Sequence, residues 1–334
     1  MKQSLLLAAA ALLLAGTALT ACKNKNAAPD ETAEPAAVLT PVAFSADSAL
    51  AYVEAQCAFG PRVPNSAAHR ACGDWIVEKF RSFGLEVTQQ EAVFTGWDGK
   101  RLDGRNLIAS YRPEAEERVV LAAHWDCRPW ADADPDSSRH REPVMGANDG
   151  ASGVAVLLEV ARLVGELQPQ VGVDFVCFDA EDYGAPYWGT PDPEGNDWCL
   201  GSQLWARQAA AQGYRARYGV LLDMVGGRDA RFCYEGFSKR YAEAVMLRLW
   251  QTAESVGADH LFLPQDGSWA TDDHLPMNQV AGIPTVDVVP YVGPQGGFGA
   301  TWHTVNDTPE NISKETLRLV GQTLLQLLSE EQAN

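Results

Sequence analysis

The chain has 334 residues, 46% of them apolar, and carries 26 basic against 44 acidic side chains for a formal net charge of −18. That balance excludes nucleic acid as a natural partner, because a polyanion is repelled by most of such a surface. The apolar share is ample for a large core, and no internal repeat divides the chain.

Residues 1–22 do not read as part of the fold. Lys2 precedes an apolar run from Leu5 to Leu14, followed by Leu19-Thr20-Ala21-Cys22. A charged start, a short apolar stretch and a small-residue cleavage site make a signal peptide. Its ending on Cys resembles a bacterial lipoprotein signal, which implies cleavage before Cys22 and lipidation of its thiol. An ordinary signal peptide with an incidental Cys is the alternative. Lys23 after the Cys points to the outer membrane. Residues 23–43, rich in Ala, Pro, Glu and Asn, read as a flexible tether. Residues 44–334 are expected to form one catalytic domain, although their length would also allow two.

Six cysteines follow Cys22, and their spacing matches no zinc finger or ribbon. Export permits disulfides. Cys57 and Cys72 flank a Gly-Pro loop and could staple two helices, whereas Cys127, Cys177, Cys199 and Cys233 fall in or beside strands as small apolar groups.

The spacing predicts a helix over Ser45 to Cys57 and a second from Ala67 to Phe83, stopped by Gly84. Strand-like runs follow at Leu85–Thr88, Asn106–Tyr111 and Val119–Ala123. The pattern then alternates: helix 151–165, strand Val173–Phe178, helix 201–211, strand Tyr218–Leu222. Helix 239–256, a short helix near 273–281, strand Thr285–Val289 and a last helix Lys314–Ser329 complete the chain. This alternation predicts a single α/β domain with a central, twisted, mixed but mostly parallel sheet covered by helices on both faces. An antiparallel portion is expected at one edge, where turns rather than helices join the early strands.

In such a sheet, function sits at the carboxyl ends of the strands, and the unusual residues fall there. His124 and Asp126 close one strand, Asp179-Ala-Glu181-Asp182 another, and Asp223 a third. Thr271-Asp272-Asp273-His274 opens a short helix, and Trp302-His303 follows the last strand. Gly146-Ala-Asn-Asp149-Gly-Ala-Ser-Gly153 runs straight into a helix, whose amino end keeps a carboxylate ionised. Asn148 or Asp149 could merely cap that helix. One acid at a strand tip is commonly a cap, but five acid or His clusters at successive element ends are hard to explain that way. The residue types suit zinc, which takes imidazole nitrogen and carboxylate oxygen. Asp149, Asp182 and His303 would supply three ligands. Neighbouring acids project in different directions, leaving Glu181 to face the substrate as general base. His124 and Asp223 could complete a second metal position.

The segments AAHWDCRPWADADPD, GANDGASG, DAEDYG, WCLGSQ, LLDMVGG, TDDHLP and WHTVNDT together resemble the zinc-dependent exopeptidase family of secreted aminopeptidases, and within it the glutaminyl-peptide cyclotransferases. The resemblance covers residues 45–330. It implies a zinc-exopeptidase-like fold, one zinc per chain, and cyclisation of N-terminal glutamine to pyroglutamate with release of ammonia. Asp272 matches an acid that the cyclases add before the Asp-His pair, and there it bonds the residue matching Asp223. Trp302 matches a tryptophan lining the substrate pocket, and Trp188 in the loop after the acid pair is similar to another, with a buried core role as its alternative. Asp182 departs from the pattern, since the animal enzymes carry Glu there.

The resemblance thus implies Glu181, Asp272 and Asp223 as the catalytic acids, peptides with N-terminal Gln as substrates, and membrane contact only through the lipid; a monomer is expected. Two other readings remain: an aminopeptidase with two zincs that uses His124 and Asp223, and a lipid-anchored binding protein without turnover. His69, His140 and His260 lie in polar contexts and are expected at the surface, and His274 is expected to be a structural hydrogen-bonder. The tract Asp132-Ala-Asp134-Pro-Asp136 reads as a solvated or network-forming loop, with Ca²⁺ binding as its alternative.

Overall fold

The computed structural model of the protein describes residues 39–290 and 297–332. The expected signal, Cys22 and most of the expected tether lie outside the described residues. Residues 40–43, expected in the tether, are instead fastened to the domain. The Thr40 amide donates to Gln326 Oε1 at 2.8 Å, the Gln322 side chain bonds Val42 O at 3.1 Å and receives the Phe44 amide at 3.0 Å, and Val42 is buried. No helix among the described residues is long and apolar enough to cross a membrane.

Two helices open the domain. α1 (Ala46–Ala58) and α2 (Ala67–Ser82) each start at a serine whose hydroxyl accepts an otherwise unpaired amide, Ser48 N at Ser45 and His69 N at Ser66. A hairpin of β1 (Glu86–Thr95) and β2 (Arg101–Tyr111) follows. Then come β3 (Arg118–His124), α3 (Ala151–Leu167), β4 (Gly172–Phe178), α4 (Leu200–Gln212) and β5 (Gly219–Leu222). A small pair of β6 (Phe232–Tyr234) and β7 (Phe262–Asp266) flanks α5 (Gly236–Ser255) in sequence. The chain ends with α6 (His274–Gln279), β8 (Thr285–Val288) and α7 (Lys314–Ser329).

The main sheet has the order β1-β2-β4-β3-β5-β8. Its β4, β3, β5 and β8 pair in parallel and β1 and β2 add antiparallel at one edge, so the mixed sheet expected from the sequence is present. Side chains alternate across it. Val119, Leu121 and Ala123 pack in one core with α1, α2, α3, α5 and α7, whereas Val120 and Ala122 pack in another with Trp205 and Ala206 of α4 and Met277 of α6. Burial on both faces accounts for the unbroken apolar runs of β3 and β4. The chain leaves β3 to one side for β4, then crosses back to β5 on the other. The carboxyl end of β3, at His124, is therefore the point where the winding reverses.

The β6–β7 pair was not foreseen, because a three-residue strand is too short to show alternation. The staple between Cys57 and Cys72 is not formed. Both are free, buried thiols raised to about 11 by burial, and they serve as small apolar groups of the core beneath α1 and α2.

Candidate active site

The glycine turn before α3 carries Asp149. Gly150 has φ +94°, and a Cβ there would stand 2.5 Å from Asp126 O, so no other residue lets the turn lie this close to the end of β3. α3 has no side-chain cap. Asn148 Oδ1 instead accepts the Gly226 amide at 2.8 Å, and Asp149 Oδ1 lies 3.0 Å from His124 Nε2. Buried Asp307 fixes the turn by accepting both the Asn148 and Asp149 amides, at 2.7 and 3.0 Å. Capping by Asn148 or Asp149 is thus excluded.

The acid pair beyond β4 is held from below. Asp126 accepts the Glu181 amide at 3.1 Å and the Asp182 amide at 3.3 Å. The residue before the pair, Ala180, has φ +52°, a strained conformation for alanine. Asp179 secures it by accepting the Ala180 amide at 2.8 Å and the Arg105 amide at 2.7 Å. His69, expected at the surface, is buried. Its Nε2 lies 2.7 Å from Asp179 Oδ1 and its ring stacks on Trp125 at 4.2 Å, because α2 closes over the end of β3. His140 is half-buried and His260 is exposed. His274, as expected, is a buried hydrogen-bonder, 3.1 Å from Glu235 Oε2.

One donor atom each from Asp149, Asp182 and His303 lie within 4.8 Å of one another, and so does a second set from His124, Asp149 and Asp223. Asp149 belongs to both. His303 Nε2 lies 3.2 Å from Asp182 Oδ1 and 3.8 Å from Asp149 Oδ2. The other ring nitrogen, Nδ1, lies 3.2 Å from Asp132 Oδ1, which turns Nε2 toward the acids. Asp182 Oδ2 is buried without a hydrogen-bond partner. A buried carboxylate oxygen left open among imidazole and carboxylate donors fits a divalent ion of the zinc type. Asp132 also forms a two-pronged ion pair with buried Arg128, whose guanidinium reaches Asp182 O and Gly184 O at 3.0 Å each. The acidic tract thus contributes Asp132 to a network, the network-forming reading of that loop.

Beside this set stands a cluster of buried acids. Burial raises Asp223 to about 6 and Asp272 to about 7, with neighbouring carboxylates adding to the effect. Glu181 and Asp273 are raised well above the usual carboxylate range, again first by burial and then by neighbouring carboxylates: Asp182, Asp272 and Asp273 for Glu181, and Asp272 and Asp126 for Asp273. Glu181 Oε1 accepts the Cys199 thiol at 3.3 Å. Asp287, buried in β8, belongs to the same cluster and was missed; a lone acid inside the apolar run Thr285–Val289 was the available signal.

Asp149, Glu181, Asp182, Asp223, Asp272 and His303 line a cavity of about 370 Å³ walled by Trp198, Trp269, Phe298 and Trp302. Trp302 stacks on His303 at 3.8 Å, and Trp198 lies parallel to the same ring at 6.3 Å. Trp188 does not line this cavity. It covers the Arg141 guanidinium at 3.9 Å and stacks beside His140, so its loop turns outward and Trp198 takes the wall position. Two larger cavities, of about 460 and 510 Å³, hold none of the residues of the two donor sets or of the acid cluster, although His69 lines the second.

Residues 106–328 match peptidase family M28. Among solved structures, the chain is 47% identical to Bacteroides thetaiotaomicron glutaminyl cyclase bound to N-acetylhistamine, with a TM-score of 0.85 over 87% of this chain and 99% of that one. It is 48% identical to Porphyromonas gingivalis glutaminyl cyclase, with a TM-score of 0.81 over 86% and 98%. Among curated proteins, Aminopeptidase YwaD of Bacillus subtilis is 27% identical over 78% of this chain and 52% of its own length. The chain spans about half or less of the length of the first curated relatives it matches.

Proposed function

The chain belongs to peptidase family M28, and from that premise we propose that it is a zinc-dependent glutaminyl cyclase, converting N-terminal glutamine of peptides and proteins to pyroglutamate. The observation that carries this reading is the buried carboxyl cluster of Glu181, Asp223 and Asp272 beside Asp149, Asp182 and His303, at the floor of a small tryptophan-walled pocket. Likeness to two bacterial glutaminyl cyclases over almost their full length supports it.

The reaction is internal. The α-amine nitrogen forms a bond to the side-chain carboxamide carbon, the bond from that carbon to its amide nitrogen breaks, and one proton moves from the amine to departing ammonia. Asp149, Asp182 and His303 would hold one zinc ion, which when bound polarises the carboxamide carbonyl as a Lewis acid. Glu181 takes the amine's proton and returns it to the leaving nitrogen. Burial raises the proton affinity of the Glu181 carboxylate, which makes it a better acceptor of the amine's proton than an ordinary carboxylate in water. An α-amine, with a pKa of roughly 7.7–8.0, is partly neutral near pH 7 and needs little help to attack. Asp272 and Asp223 steady the charge that develops on the nitrogen. Trp198 and Trp302 fold the glutamine so that amine and carboxamide meet, and they keep out water, the competing nucleophile.

The set of His124, Asp149 and Asp223 favours one second reading, an aminopeptidase with two zincs. Metal content beside turnover separates the two. One zinc per chain, retained by Glu181→Gln while cyclisation is lost, supports the cyclase; two zincs with release of N-terminal leucine supports the peptidase. We also propose that Cys22 is lipidated and that the protein acts as an exported, membrane-anchored monomer. Fatty-acid labelling that disappears in Cys22→Ser, and a monomeric mass for the domain in solution, are the expected results.

A further inference from the structure

We propose that the groove between α4 and α6 binds the chain of the substrate beyond its first residue, and that Arg207 selects an acidic side chain at the fourth position. The inference rests on the cyclase reading and names the class of peptide that the site prefers. The catalytic cavity does not end at its tryptophans. A second cavity of about 350 Å³ shares Gly195, Trp198, Thr271 and Asp272 with it, so the two are continuous.

The shape of this second cavity follows from two helices. On α4, Gln203 and Arg207 succeed the capping residue Cys199 at intervals of four, which places all three on one face. On α6, Leu275 and Gln279 are spaced in the same way, with Pro276 and Val280 beside them. Val280 is 46% exposed, an apolar surface open to an occupant.

The groove is polar in one direction. At its near end lies Asp272, among the acids that receive an amine. At its far end Arg207 is exposed and forms no ion pair among the described residues; its one hydrogen bond there runs to Gln203 Oε1 at 3.4 Å. Glu194 also borders the groove and accepts from Asn196 Nδ2 at 3.2 Å. A peptide lying along it presents its amino terminus to acids and a downstream side chain to a cation. The distances agree. From Cys199, which touches Glu181, to Arg207 the helix rises about 12 Å at 1.5 Å per residue. An extended peptide covers that in three to four residues at about 3.3 Å each.

The test uses zinc-loaded protein and three substrates: the dipeptide Gln-Ala, and the amidated pentapeptides Gln-Ala-Ala-Glu-Ala and Gln-Ala-Ala-Lys-Ala. The wild type is expected to cyclise the Glu peptide with kcat/KM roughly two- to fivefold above the Lys peptide, the size of an exposed ion pair, carried by KM and shrinking with salt. Arg207→Glu is expected to invert that order and leave Gln-Ala unchanged, which also shows the variant to be folded. Equal use of both pentapeptides by the wild type, or a preference that survives Arg207→Glu, overturns the assignment. Failure of the wild type to cyclise Gln-Ala refutes the cyclase reading itself, and the groove assignment falls with it.

Discussion

Asp132 touches no substrate, yet its replacement by Asn is expected to weaken metal binding. Its carboxylate faces His303 Nδ1 at 3.2 Å on one side and takes the Arg128 fork at 2.9 and 2.7 Å on the other. Burial alone would raise its pKa, but Arg128 and His303 overcome that and hold it well below the usual range, so it is fully ionised. An Asn has one accepting oxygen in place of two and no charge. Its NH2 group meets the Arg128 Nη2 donor where Oδ2 had accepted, so the amide shifts to relieve that clash, and His303 loses the charged partner that fixes its tautomer and aims Nε2 at Asp182. Loss of such a partner costs about 10- to 100-fold in metal affinity, or roughly 1.4–2.7 kcal/mol. Arg128 keeps its bonds to Asp182 O and Gly184 O, so the fold should survive with a lowered melting temperature. Competition with a zinc chelator reads the affinity, and circular dichroism checks the fold. A folded Asp132→Asn protein with unchanged zinc affinity would refute the orienting role.

Three more outcomes are expected. Trp198→Ala should raise KM for Gln peptides roughly tenfold, for about 1.4 kcal/mol of lost ring contact, whereas Trp188→Ala should leave KM unchanged. Glu235 is lowered from 4.5 to about 2, because the pair with His274 and the amides of Phe237 and Ser238 outweigh its burial. A lowered acid stabilises the fold above its unfolded pKa and loses that contribution as pH falls. Glu235→Gln should therefore cost roughly 3 kcal/mol at pH 6 in urea unfolding, and the gap should close between pH 4.5 and 2. Gly153→Ala places a Cβ 2.4 Å from Leu222 O and 2.8 Å from Ala123 Cβ, backbone and core that cannot yield. It should lower stability by about 1–3 kcal/mol despite alanine's better helix propensity, read as a shifted urea midpoint at constant m-value.

The parts of the structure legible in the sequence were those governed by local periodicity. Lys314–Ser329 is a helix to the residue, since its apolar face and Ser313 cap are local facts. The strand-end acids were legible because a charged residue closing an apolar run is conspicuous, and they do converge. The indole that walls the pocket was not legible. Trp188 and Trp198 lie ten residues apart in one loop, and only the fold decides that Arg141 draws the first outward while the second faces His303. His69 was misjudged for the same reason. Its sequence neighbours are polar, but its environment comes from Trp125 and Asp179, distant in sequence. Arg128 and Asp307, which brace the site through long-range hydrogen bonds, likewise left no local trace.

Mass spectrometry of a Gln-initiated peptide incubated with the zinc-loaded protein, beside the same peptide initiated by Leu, is the decisive measurement. The Gln peptide alone should become lighter by one ammonia, and Glu181→Gln should abolish the change. Loss of the first residue from both peptides, or no change in the Gln peptide with zinc bound, would contradict glutaminyl cyclisation.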